Sequence, residues 1–165
     1  MQCTSRRLPF AFLAVFTCAT VIFSVLPFAS AASGPFANFA GSWTGTGTVR
    51  SGANPAERIR CNASYRPREV ELQLRCASDS YNFDLVGEFT ANEQNQISGR
   101  WAERTRGIGG TAIGGARGER LQIHVESAGF AAELMLLTRN RRQNVTIDSQ
   151  GGGQIVKASI TLNRS

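Results

Sequence analysis

The stretch Arg58-Ile-Arg-Cys61-Asn-Ala-Ser-Tyr-Arg-Pro-Arg-Glu-Val-Glu-Leu-Gln-Leu-Arg-Cys76-Ala77 alternates apolar and polar residues on both sides of Arg66-Pro67-Arg68. An apolar period of two belongs to a strand with one face in a core, and a proline between two such runs marks a turn. The stretch therefore reads as a hairpin. Ile59, Cys61, Ala63 and Tyr65 share one phase, and Val70, Leu72, Leu74 and Cys76 share one phase on the returning run. Both cysteines then face the apolar side, where a bridge between neighbouring strands can form.

The same period continues outward from this hairpin. From Gly41 on, turn residues recur at roughly 8 to 12 positions, the spacing of an all-β sandwich or barrel. The predicted strands are 41–50, 57–66, 69–77, 81–91, 96–106, 108–116, 119–127, 130–139, 143–149 and 154–163. No run of ten residues offers an amphipathic helix. Short turns throughout imply an antiparallel up-and-down meander of about 8–10 strands, and closure into a barrel removes its exposed edges. Phe130–Arg139 is apolar on both phases, so it is either covered on its outer side or simply a poor alternator.

Ahead of this domain the chain differs in kind. Arg6 and Arg7 precede an apolar run from Leu8 to Phe28, followed by Ala29-Ser30-Ala31. That is the pattern of a secretory signal with a small-residue cleavage site, here 1–31, and 32–40 then reads as a short linker to a single domain over 41–165. Pro9, Pro27 and the Ala-Ser-Ala disfavour an uncleaved anchor. Cleavage would take Cys3 and Cys18 away, leaving Cys61 and Cys76 as a pair. In an exported chain such a pair is most simply a disulfide, and the expected compartment is periplasmic or extracellular. The whole chain has 18 basic and 12 acidic residues, a formal charge of +6, and stays mildly basic without Arg6 and Arg7.

At Phe39-Ala40-Gly41-Ser42-Trp43 the opening strand resembles the Phe-x-Gly-x-Trp element that opens lipocalins and related calycin barrels. The resemblance implies a lipocalin-like barrel whose floor is closed by the tryptophan. It also implies an arginine near the end of the last strand packed on that ring, a place Arg164 can fill. The plan of a Gly-x-Trp strand, a cysteine pair in one hairpin and a Gly-rich middle is similar to small exported proteins of alphaproteobacteria. A small barrel with a Gly-x-Trp strand and one disulfide is also similar to periplasmic protease inhibitors.

Motifs that could carry chemistry are few. Gly107-Ile-Gly109-Gly-Thr-Ala112 fits the glycine pattern of dinucleotide folds, but that loop must open a helix, and here another strand follows. His124, the one histidine, falls on an outward phase with no base or nucleophile beside it in sequence. Glu88, Glu103 and Asp84 read as outward, solvated carboxylates. No cofactor and no metal site is expected from two thiols and one histidine, and nothing marks the chain as an enzyme.

A barrel of this size can hold one small ligand. Trp43, Tyr65, Phe83, Phe89 and Trp101 share the inner phase and are the candidate lining. Gly45, Gly47, Gly87, Gly99 and Ala112 lie on the same phase; they either leave space for a ligand or let strands bend and pack closely. The function predicted is thus non-enzymatic binding of a small apolar or amphipathic ligand. If turns alternate between two ends, Arg66, Arg68, Arg117, Arg120, Arg139, Arg141 and Arg142 crowd one rim. That predicts, as an alternative, an envelope interaction protein or inhibitor acting through loops or a basic rim on an anionic partner. Nucleic acid is not expected, since no aromatic residues interleave with the arginines. The sequence leaves the oligomeric state open.

Overall fold

The computed structural model describes residues 34–66 and 71–165. The predicted signal peptide, with Cys3 and Cys18, and the turn residue Arg68 lie outside the described residues. Ten strands follow one another: β1 (Gly41–Ser51), β2 (Glu57–Arg66), β3 (Glu71–Ala77), β4 (Asn82–Ala91), β5 (Gln96–Glu103), β6 (Ile108–Arg117), β7 (Arg120–Ser127), β8 (Phe130–Arg139), β9 (Arg142–Gly151) and β10 (Gln154–Arg164). Each pairs antiparallel with its neighbours in sequence, and β10 returns to β1, closing the barrel. Trp43 stands opposite Arg164 and Ser51 opposite Val156 along that seam. The fold is the all-β, lipocalin-like barrel expected. Among the described residues no helix is long and apolar enough to cross a membrane.

Register follows from the period-two pattern, because a slip by one residue would turn every apolar side chain outward. Ile59, Cys61, Ala63 and Tyr65 of β2 and Leu72, Leu74 and Cys76 of β3 are buried as predicted. Cys61 sits directly opposite Cys76 and is disulfide-bonded to it, with Cα atoms 4.2 Å apart. Two-residue turns at Gly118 and Asn140 carry φ of 58° and 54°, the left-handed geometry that keeps hairpins matched to strand twist. On β8 one phase is buried, while Ala131, Glu133, Met135 and Leu137 on the other are only half covered.

The inward glycines serve strand packing. A Cβ on Gly45 would lie 2.0 Å from the Thr161 carbonyl oxygen, and one on Gly99 would lie 2.0 Å from that of Glu88. Gly47 meets the Ser159 carbonyl in the same way, and at Gly87 the Phe89 ring fills the position. Of the two readings of these residues, close approach accounts for them and ligand space does not.

Of the segment read as a linker, Phe36 and Phe39 pack into the barrel core. Residues 34–40 make two successive turns, with backbone bonds from Ala37 to Gly34 (3.2 Å) and from Phe39 to Phe36 (3.0 Å). Phe36 and Phe39 are buried in the core beneath Trp43. Trp43 Nε1 donates to the Phe39 carbonyl at 2.9 Å, and the Arg164 guanidinium lies 4.5 Å from the Trp43 ring centroid while donating to the Asn38 carbonyl at 3.1 Å. The arginine thus packs on the tryptophan, as the resemblance implied, and also fastens the last strand to the entering chain.

Candidate functional site

The up-and-down order gives the barrel two unlike ends. The entering chain, the C-terminal end of β2 and the turns after β4, β6 and β8 lie at one end; the turns after β1, β3, β5, β7 and β9 lie at the other. The first end is a packed floor. Phe36, Phe39, Tyr65, Leu72, Phe89 and Leu121 surround a residual void of about 10 Å³, at the lower limit for one water. Tyr65 donates its hydroxyl to Gln143 Oε1, and Gln143 Nε2 donates to Thr138 Oγ1 at 2.9 Å. Burial pushes the Tyr65 hydroxyl far above its ordinary range, outweighing the opposing effect of the Gln143 bond, so it acts as a neutral donor. Gln143 is fully buried, and its amide is satisfied by these two floor partners.

The other half of the interior is open. A cavity of about 360 Å³ extends inward from the turns around Ala128, Gly129 and Gly152, within the size range of small-molecule sites. Its wall is mostly apolar, with Phe83, Leu85, Trp101, Val125, Leu134 and Ile147 at its heart. Trp101 is anchored: its ring lies 5.2 Å from that of Phe130, and Nε1 donates to the Glu126 carbonyl at 3.2 Å. At the mouth, Tyr81 packs edge-on against Phe83 with centroids 6.0 Å apart.

Two charged residues line this cavity, Glu103 and Arg106. Glu103 corrects the expectation of an outward, solvated carboxylate. It continues the inward phase of Trp101, is 7% exposed, and is held by the turn after β5. Its Oε1 accepts from the Asp84 and Thr105 amides, each at 2.9 Å; its Oε2 accepts from the Arg106 amide at 2.8 Å and from Arg106 Nη1 at 3.2 Å. Burial alone would raise its pKa, but these hydrogen bonds outweigh burial and hold the carboxyl below its ordinary range. Arg106 lies 4.9 Å over the Tyr81 ring and donates to the Asn82 carbonyl at 3.1 Å.

The five aromatic residues expected to line one interior are therefore divided. Phe83 and Trp101 face the cavity, whereas Trp43, Tyr65 and Phe89 belong to the packed floor half. Tyr81, Glu103, Arg106 and Phe130 complete the mouth; of these only Glu103 is singled out from sequence, and as an outward carboxylate, although the inner phase continued from Trp101 is the signal that turns it inward. Gly107–Ala112 forms the turn after β5 and the start of β6, with no helix following.

The arginines at 66, 117, 120, 139, 141 and 142 all stand at the floor end. Arg66 pairs with Glu71 at 2.9 Å and Arg139 with Glu119 at 3.1 Å, while Arg141 donates to the Arg164 carbonyl at 3.2 Å. Arg117 faces Arg120 and Arg139 faces Arg142 directly across their hairpins. Cations are not confined to that end: Arg50 and Arg58 stand on outward positions near the turn after β1. His124 faces outward as expected, but it is not isolated. Its Nδ1 lies 3.0 Å from Glu133 and its Nε2 lies 2.9 Å from Glu126, and those two bonds raise its pKa, Glu126 first. Among the described residues no cluster of histidine, cysteine and carboxylates could hold a metal ion.

No protein-family model matches this sequence, and no curated protein matches it. The fold does have a solved counterpart. The S-type phycobiliprotein lyase CPES from Guillardia theta superposes with a TM-score of 0.58 over 79% of this chain and 90% of its own, at 10% identity. The likeness establishes a shared barrel fold and carries no activity across. It does overturn the expectation that nothing here belongs to an enzyme. A barrel of this fold bears the name of a lyase, so lack of a nucleophile–base pair does not set the fold apart from catalysis.

Proposed function

We propose that this chain is an exported barrel that binds one small apolar or amphipathic molecule in the mouth half of its interior. The observation that carries the proposal is the one-ended cavity: about 360 Å³, walled by aromatic and aliphatic side chains, open at one end and backed by a sealed floor. A void of that size lined by carbon forfeits dispersion contacts that a packed core would keep, and a ligand of matching shape restores them. The apolar wall selects for hydrocarbon, and the few polar groups at the mouth fix orientation. The neighbouring lyase is named for a protein that carries a bilin, which agrees with a small-molecule occupant. Native mass spectrometry on protein purified from its own host tests the proposal. It predicts a reproducible adduct that organic solvent strips; a bare mass in every preparation, together with failure of stripped protein to take up dodecanol, would rule it out.

A second function, contact with an anionic envelope component, has its own observation. Like charges directly opposite one another across a hairpin are unfavourable, yet Arg117 faces Arg120, and Arg139, itself paired with Glu119, faces Arg142 on the adjoining hairpin. A partner supplying phosphate or carboxylate groups would offset both repulsions. Replacing Arg117, Arg120 and Arg142 by glutamate should abolish retention on vesicles containing phosphatidylglycerol. Unchanged retention would remove this second function and leave the first intact.

A further inference from the structure

Among the described residues the cavity has one cation on its wall, Arg106, and that cation is only half used. Arg106 Nη1 is engaged by Glu103 and by the Asn82 carbonyl, while Nε and Nη2 have no hydrogen-bond partner among the described residues. Those two nitrogens form the side edge of the guanidinium, whose parallel N–H bonds match the two oxygens of a carboxylate. The other edge is fixed on three sides: by Glu103, by Asn82 and by the Tyr81 ring beneath it. Glu103 does not compete for the free edge, because both of its oxygens are already occupied, three of its four donors being backbone amides of the same mouth.

From this geometry we infer that Arg106 is the head-group anchor of the cavity, and that the ligand is an amphipathic carboxylate whose hydrocarbon body lies along Phe83, Leu85, Trp101 and Leu134. This rests on the cavity being a ligand site, and it adds the chemistry of the ligand's polar end. Glu103 is a positioning residue: it holds the β5–β6 turn and the guanidinium in place and does not touch the ligand. Tyr81 supplies the flat surface on which the guanidinium rests, and its own hydroxyl stays protonated, since burial raises its pKa against the opposing influence of Arg106.

Matched probes separate the anchor from the cavity. Dodecanoate and 1-dodecanol present the same chain to the wall and differ only at the head. Each is titrated into the stripped full-length barrel at neutral pH, with displacement of 1-anilinonaphthalene-8-sulfonate as the readout. The anchor predicts that dodecanoate binds about tenfold or more tightly than dodecanol, the range of a charge-assisted hydrogen-bonded pair. In Arg106→Gln that ratio collapses toward one; in Arg106→Lys, which keeps the charge and loses the fork, it falls part of the way. Equal binding of both probes by the unaltered protein overturns the anchor and leaves the cavity as a ligand site. A ratio that survives in Arg106→Gln likewise assigns the head to another group. If neither probe binds, the cavity fails as a ligand site and the anchor with it. Because the wild-type ratio alone can overturn the inference, the test stands even where Arg106→Gln folds poorly.

Discussion

The floor and the mouth of this barrel are built by the same ten strands, but their side chains are arranged for opposite ends. At the floor, large rings meet one another: Phe36, Phe39, Trp43 and Phe89 fill the interior, and the buried Gln143 amide is satisfied by Tyr65 and Thr138. At the mouth, rings line a wall and leave the middle empty, and polar groups are gathered at the rim by Glu103. Packing density rather than composition divides the two halves. A core stabilises by filling space, whereas a site needs space that the rest of the fold can sustain.

The sharpest way to break this comparison is to truncate one aromatic residue in each half. Trp43→Ala should cost about 3 to 5 kcal/mol in denaturant unfolding, because it opens a void in a filled floor and also removes the Arg164 and Phe39 contacts. Phe83→Ala should cost roughly 1.5 to 3 kcal/mol, the transfer contribution without a new cavity, since the space beside it is already empty. Equal losses would mean the two halves are packed alike. Next in size is the staple. Reducing Cys61–Cys76, with its separation of 15 residues, should lower stability by about 3 kcal/mol in the chain-entropy account, read as a shift in urea midpoint. Smaller again is Tyr65→Phe, which strands the buried Gln143 carbonyl oxygen at a cost of about 1 to 3 kcal/mol. The acid limb should be set at the mouth. Glu103 has its folded pKa below the ordinary value of 4.5, so its contribution is complete above that value and is lost as pH falls through the lowered one. The stability gap between the unaltered protein and Glu103→Gln should therefore be widest above pH 4.5 and narrow on further acidification; a gap independent of pH would show that Glu103 is not the group responsible.

Much of the fold is legible in the sequence because it rests on local, periodic signals. Alternation in Arg58–Ala77 sets the phase of both cysteines, and the turn residues that separate the other runs mark ten strands close to where they occur, although β5, predicted over 96–106, ends at Glu103 and leaves Arg104–Arg106 to the turn. The role of Arg164 on Trp43 follows from the Phe39–Trp43 element. What escaped is set by three-dimensional packing. Nothing along the chain shows that Tyr65 and Gln143, 78 residues apart, share a proton donor and acceptor, or that Phe36 and Phe39 fold under the barrel instead of linking to it. The outward phase expected for Glu103 is that of Ala102 and Arg104; counted from Trp101 the residue falls on the inner phase, where it is buried. His124 acquires partners from β7 and β8 that only register brings together. The aromatic residues could be assigned to the inner face, but whether a given ring fills the floor or borders the cavity depends on its height along the barrel axis.

The two tryptophans offer the most direct test of the division, because one lies in each half. Trp43→Phe leaves Trp101 on the cavity wall as the sole emitter, and Trp101→Phe leaves Trp43 in the floor. Titrating each variant with a dodecanoic acid brominated mid-chain, a short-range quencher, reads the position of the ligand, with circular dichroism confirming that both variants fold. A ligand held in the mouth half predicts saturable quenching of Trp101 and little change at Trp43; equal quenching of both, or of neither, would contradict it.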